Sequence, residues 1–148
     1  MDPRAFLDVA FALANKDAPS AGELRTAVSR AYYGLYNTVV DFLDKCGVSV
    51  VDNQAGHRVV PGALRACGDV KLREAAATLD DLRSARWEAD YVMTAAGPEH
   101  GGTVKRHVSH ARQAVNKIDA CERDADRFRE VKITVRRWAA TAANVRTG

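Results

Sequence analysis

At 148 residues and 16.1 kDa the chain suffices for one compact domain with an apolar core and is short for two. Apolar residues make up 47% and charged residues 28%, which disfavours wholesale disorder, and no apolar run approaches the roughly 18 residues that a bilayer span needs. The net charge of +3 is uneven: Met1 to Gly102 sum to -3, with 11 Lys or Arg against 14 Asp or Glu, whereas Thr103 to Gly148 sum to +6, with 11 against 5. A concentrated positive segment fits a polyanionic partner or a well-solvated helix face. The opening Met-Asp-Pro-Arg has no basic stretch followed by an apolar one and does not read as a signal peptide, so a cytoplasmic protein with no membrane partner is expected.

The 26 Ala against only 2 Ile suit closely packed helices and suit strands poorly, which predicts an all-α fold. Asp2-Pro3 is a helix start, and Phe6, Leu7, Ala10, Phe11 and Ala14 recur at helical spacing until Asp17-Ala-Pro19. Ser20-Ala-Gly-Glu23 has the spacing of a capping box. It opens a second helix of about 26 residues, roughly 39 Å long, which Gly47 closes. Its apolar stripe is Leu24, Val28, Ala31, Leu35, Val39, Phe42 and Cys46; Arg30, Tyr33, Asn37 and Asp41 lie opposite, and Tyr32 borders the stripe.

Residues 48–60 read as a loop in preference to a brief strand, and Pro61 to Cys67 as a short helix. Asp69 then caps a long helix through Ala96, stopped by Gly97-Pro98. Its stripe is Leu72, Ala75, Leu79, Leu82, Ala89, Met93 and Ala96, and Arg86 falls near the middle of it. A guanidinium aimed at a core needs a partner or a wet cavity, because an unpaired buried charge costs several kcal/mol.

From Val104 to Val145 apolar residues keep a 3/4 spacing with no Gly or Pro. One helix of that length would span roughly 60 Å, more than a domain of this size. Either it breaks near Asp124 to Phe128, or its second half packs on another subunit; the sustained spacing with Trp138 favours association. The organisation expected is a bundle over 1–122 and a basic helical extension over 123–148.

Ser29-Arg-Ala-Tyr-Tyr-Gly-Leu-Tyr36, followed by Leu82-Arg-Ser-Ala-Arg-Trp-Glu-Ala-Asp-Tyr91, resembles the HEPN superfamily, in its branch with a Ser-Arg-Ala-Tyr-Tyr helix and an Arg-x-x-Ala-Asp-Tyr helix. His57 is similar to the His that opens the third element of that branch, and the resemblance covers about residues 20–115. It implies an up-and-down bundle of four to five helices, here with a long C-terminal helix, often as a homodimer. It also implies work on or near nucleic acid in prokaryotic toxin-antitoxin or defence systems, as a metal-independent endoribonuclease or beside a nucleotidyltransferase. The ribonucleases of the family carry Arg, four to six residues, then His. Here Arg86 is followed by Asp90-Tyr91, and none of His57, His100, His107 or His110 stands at that spacing after an Arg.

The expected function is therefore RNA association, with RNA, a nucleotidyltransferase-type antitoxin and a second copy as partners. Two alternatives are a ribonuclease whose catalytic candidates are Arg86, Asp90 and Tyr91, with Tyr33 as a further tyrosine, and a protein-interaction subunit whose tail docks a partner helix. Arg86 and Asp90 read either as a polar cleft for a phosphate or ribose hydroxyl, or as a structural ion pair at i and i+4. Arg30, Tyr33 and Asn37 offer a cation, a stacking ring and an amide to the same cleft, or form an exposed polar edge. Arg129, Arg136 and Arg137 represent the tail's phosphate-binding potential. No metal or cofactor is expected: His107 and His110 stand at i and i+3, but no carboxylate or Cys stands at ligand spacing beside them, and no glycine-rich phosphate loop is present. Cys46, Cys67 and Cys121 read as small buried hydrophobes.

Overall fold

The computed structural model describes residues 1–51 and 54–148. It is mostly helical: α1 (Ala5–Ala14), α2 (Ala21–Lys45), α3 (Gly56–Ala66), α4 (Val70–Tyr91), α5 (Gly101–Arg123) and α6 (Ala125–Ala139), with two short strands, β1 (Val48–Val50) and β2 (Val145–Thr147). The chain divides into two compact units, Met1–Asn37 with Thr78–Gln113, and Thr38–Ala77 with Ala114–Gly148. Helices α2, α4 and α5 each contribute residues to both.

In the first unit, the Asp2 carboxylate accepts from the Arg4 amide at 2.9 Å, consistent with the predicted start of α1. Leu7, Ala10 and Ala14 are buried, but Phe11, expected in the same stripe, is half exposed. α2 opens with the predicted capping box: the Ser20 amide donates to Glu23 Oε2 at 2.8 Å and the Glu23 amide to Ser20 Oγ at 3.3 Å. Lys16 first, then Ser20, hold the Glu23 carboxyl down to about 2. Gly34 is packed directly on Leu7.

α4 ends at Tyr91, five residues before the expected Ala96, because its last carbonyls have another partner. Arg25 donates through Nη1 to the carbonyls of Ala89 (2.9 Å) and Val92 (3.1 Å), through Nη2 to those of Met93 (3.1 Å) and Ala95 (3.0 Å), and through Nε to Glu99 (2.8 Å). A cation on the C-terminal carbonyls satisfies groups that the helix itself leaves open and opposes the helix dipole. Met93 and Ala96 consequently leave the apolar stripe, and Met93 is exposed.

In the second unit, Phe42, Leu43, Val48, Leu64, Leu72, Ile118, Val131 and Val135 form the core. Asp69 caps α4 as expected, accepting from the Leu72 amide at 3.1 Å, and is also gripped by Arg127 Nε and Nη2 at 3.1 and 3.0 Å. Of the two outcomes left open for the C-terminal run, the break near Asp124 to Phe128 is the one observed, so the long C-terminal helix is two helices. Asp124 has extended backbone (φ -88°, ψ 100°) and its carboxylate accepts from the Arg127 amide at 3.2 Å, so a polar N-cap breaks the run without Gly or Pro. α6 packs on α3, and the Trp138 ring lies against Gly62.

The helical spacing also fails at its end: Val145 belongs to β2, which pairs antiparallel with β1 in the register Val48↔Thr147, Ser49↔Arg146 and Val50↔Val145. The segment expected as a loop from 48 to 60 thus begins as a strand and from Gly56 is helical, with Pro61 inside α3. Its residues 52 and 53 lie outside those described. Among the described residues no helix is long and apolar enough to cross a membrane.

Candidate functional site

The predicted polar residues of α2 and α4 converge within the first unit. α2 presents Ser29, Arg30, Tyr32 and Tyr33 in about one helical turn, and α4 presents Arg86, Asp90 and Tyr91. Tyr32 is fully buried, its ring stacked at 5.8 Å on Tyr36 and edge-on at 5.1 Å to Tyr33. Burial above all drives its hydroxyl well above the ordinary tyrosine range, so it stays protonated.

Arg86 reaches into this aromatic wall. Its guanidinium carbon lies 5.4 Å from the Tyr32 ring, 5.5 Å from Tyr33 and 5.8 Å from Tyr91, with the side chain 14% exposed. Electron-rich ring faces attract a cation, and more strongly where water is excluded. Among the described residues the carboxylate paired with it is that of Asp90, 3.6 Å from Nη1 and therefore an ion pair without a short hydrogen bond. Ser29 donates to the same Asp90 oxygen at 3.5 Å.

A second guanidinium flanks the same ring. Arg30 lies 5.8 Å from the Tyr33 centroid and 5.3 Å from that of Phe6 on α1. The Nε atoms of both Arg30 and Arg86 are buried and have no hydrogen-bond partner. A buried donor left unmet costs about 1–3 kcal/mol. Two cations with unmet donors around one ring, opposed among the described residues by the loosely held Asp90 carboxylate, form an arrangement that can take an anion bearing several acceptor oxygens.

The structure thus brings together Arg30, Tyr33, Arg86, Asp90 and Tyr91. Asn37 is half-buried one turn beyond Tyr33 on α2 and is not among the groups that meet Arg86. The tail arginines belong to the second unit: Arg129 pairs with Asp126 at 2.6 Å, Arg136 donates to the Gly148 carbonyl at 3.0 Å, and Arg137 is exposed. Sequence reasoning missed Phe6, Tyr32 and Trp87. Trp87 is 58% exposed and its ring lies 6.4 Å from that of Tyr91, itself 64% exposed. The i, i+4 spacing of those two rings was the available signal.

The three cysteines are buried and free, in keeping with their reading as small hydrophobes. Burial pushes the Cys46 thiol up to about 12 and raises Cys67 and Cys121 as well, which leaves little thiolate for nucleophilic chemistry.

No family model, curated protein or solved structure matches the chain.

Proposed function

We propose that the chain is a cytoplasmic RNA-associated module of HEPN type, an up-and-down helical bundle that holds a phosphate of single-stranded RNA at Arg30 and Arg86 and stacks a base near Tyr33. The observation that carries this reading is the pair of guanidinium groups, each with a buried unmet Nε donor, within 5.8 Å of the Tyr33 ring centroid. Guanidinium edges match phosphate oxygens in geometry and charge, and tyrosine faces accept unpaired bases without regard to sequence. The paired tyrosines and the Arg-x-x-Ala-Asp-Tyr segment support the family assignment. With it come a homodimer, a nucleotidyltransferase partner and a role in a toxin-antitoxin or defence system.

The proposed activity is binding without cleavage. The rings placed on Arg86 are those of Tyr32, Tyr33 and Tyr91 and the carboxylate paired with it is that of Asp90, and a carboxylate there repels phosphate unless Arg86 neutralises it.

The direct test is a salt titration of binding to a fluorescent single-stranded RNA, with the RNA analysed on a denaturing gel after incubation. Affinity should fall steeply with salt, each phosphate contact adding about 0.7 to the logarithmic slope, and Arg86→Ala should lower both affinity and slope. The RNA should remain intact. Absence of binding at low salt would overturn the reading, and cleavage lost in Arg86→Ala would replace it with the ribonuclease.

A further inference from the structure

α1 is apolar on nearly every side: within Ala5–Ala14, Asp8 is the only charged residue. A short helix of that composition carries more apolar surface than one packing face can cover. Leu7, Ala10 and Ala14 are buried, whereas Val9 and Phe11 remain 47% and 48% exposed. Phe11 borders α5, whose first half, Gly101–Gln113, contains Lys105, Arg106 and Arg112 and no carboxylate.

Between the two helices lies a groove of about 240 Å³ lined by Phe11, Asn15, Lys105, Val108, Ser109 and Arg112. A cavity of about 150 Å³ already accepts benzene, so this one has room for a bulky apolar side chain. Lys105 and Arg112 are two helical turns apart, about 10.5 Å along α5, and so mark its two ends. The Arg112 guanidinium lies 4.8 Å over the Phe11 ring and 3.5 Å from the Asp8 carboxylate, which is 80% exposed. Asp8 thus shows where an acidic group settles at this end of the groove.

We propose that this groove docks an amphipathic acidic helix of a partner protein. One apolar side chain enters between Phe11 and Val108, and two carboxylates about seven positions apart meet Lys105 and Arg112. Lys105 and Arg112 give the groove positive charge at its two ends, Arg112 already holding the Asp8 carboxylate, and the apolar Phe11 and Val108 between them suit the apolar side chain of an acidic amphipathic helix. The surface is independent of the Arg86 cluster.

The test uses fluorescence anisotropy with two labelled alanine-based helical peptides of about 18 residues. The first carries a Leu midway between two Glu about seven positions apart, and the second has Lys in place of the Glu. The full chain should bind the acidic peptide saturably and more weakly as salt rises, and should leave the basic one unbound. Lys105→Glu with Arg112→Glu should weaken the acidic peptide by about tenfold and create binding to the basic one. Ser109→Trp, which fills the groove and leaves the charges, should also abolish binding, and it keeps the test decisive if the charge reversal misfolds by circular dichroism. No binding of the acidic peptide at low salt overturns the proposal, as does equal binding by the reversed variant. An RNA decamer that binds and is lost in the reversed variant, while the acidic peptide does not bind, assigns the groove to nucleic acid and likewise overturns it.

Discussion

Arg86 of α4 stands over the ring of Tyr33 of α2, its guanidinium carbon 5.5 Å from the ring centroid, although its Nε atom is buried without a hydrogen-bond partner. The rings and Asp90 offset part of the cost of desolvating the cation. They leave the donor unmet, so the arginine holds its place at some expense to stability.

That imbalance predicts opposite effects of Arg86→Met on folding and on function. Methionine keeps much of the volume among Tyr32, Tyr33 and Tyr91 and removes the unmet donor, so urea denaturation should give stability unchanged or higher by about 1 kcal/mol. RNA affinity should fall by about tenfold or more, since each good charged contact is worth 1–3 kcal/mol. A variant several kcal/mol less stable with undiminished affinity would make Arg86 a structural cation and nothing more.

Arg25 serves the fold. Its side chain is 11% exposed and its fork reaches four carbonyls at 3.1 Å or less together with Glu99. Lysine keeps the charge but has one nitrogen and cannot span those acceptors. Arg25→Lys should therefore cost about 2 kcal/mol and Arg25→Ala about 3, read as a lowered urea midpoint at constant slope. Midpoints that do not move would mean that water satisfies the end of α4 equally well.

The sequence made legible whatever was local. The capping box at Ser20 and Glu23 and the cap at Asp69 are encoded within four residues, and each formed its predicted bonds. The end of α4 is not local: it depends on Arg25, more than sixty positions away, so a stripe drawn to Ala96 ran too far. The two strands are three residues each and exist through pairing at long range, beyond what periodicity detects. The break at Asp124 was one of two alternatives that helix length alone left open; the N-capping acid is the local signal that selects it, against an apolar spacing that favoured association. In the cluster, Arg86 in an apolar stripe was the informative anomaly, and Tyr33 and Arg30 do meet around it. Phe6 was invisible because its role comes from α1 lying over α2, which no motif encodes.

His107 predicts a pH dependence. Burial first, then His110 and Arg106, lower its folded pKa below the ordinary 6.5, against weaker opposition from Asp81 and Glu88. The unfolded chain therefore binds the proton more readily, and stability rises with pH wherever the unfolded state holds more protons. Stability should be fully present above 6.5 and decline as pH falls from there through the lowered folded value. Urea midpoints across that window should flatten in His107→Gln; an equally steep decline in the variant would assign it to other groups.

Gly34 lies in the middle of α2, where glycine lowers helix stability by about 1 kcal/mol relative to alanine. A Cβ there would sit 2.8 Å from Leu7 Cγ, 2.9 Å from Cδ2 and 3.3 Å from the Leu7 backbone nitrogen. Overpacking of that kind costs about 1–3 kcal/mol, so Gly34→Ala should be net destabilising by about 1 kcal/mol despite the better helix propensity. Leu7 is buried, and Leu7→Ala alone should cost about 2–4 kcal/mol. In that background the two clashing side-chain atoms are gone and the backbone contact is only moderately tight, so Gly34→Ala should become stabilising by up to about 1 kcal/mol. The sign reversal, measured as a double-mutant cycle in urea, is specific to α1 resting on α2 at this point. If Gly34→Ala has the same effect with and without Leu7, the close approach of the two helices is not what makes glycine necessary.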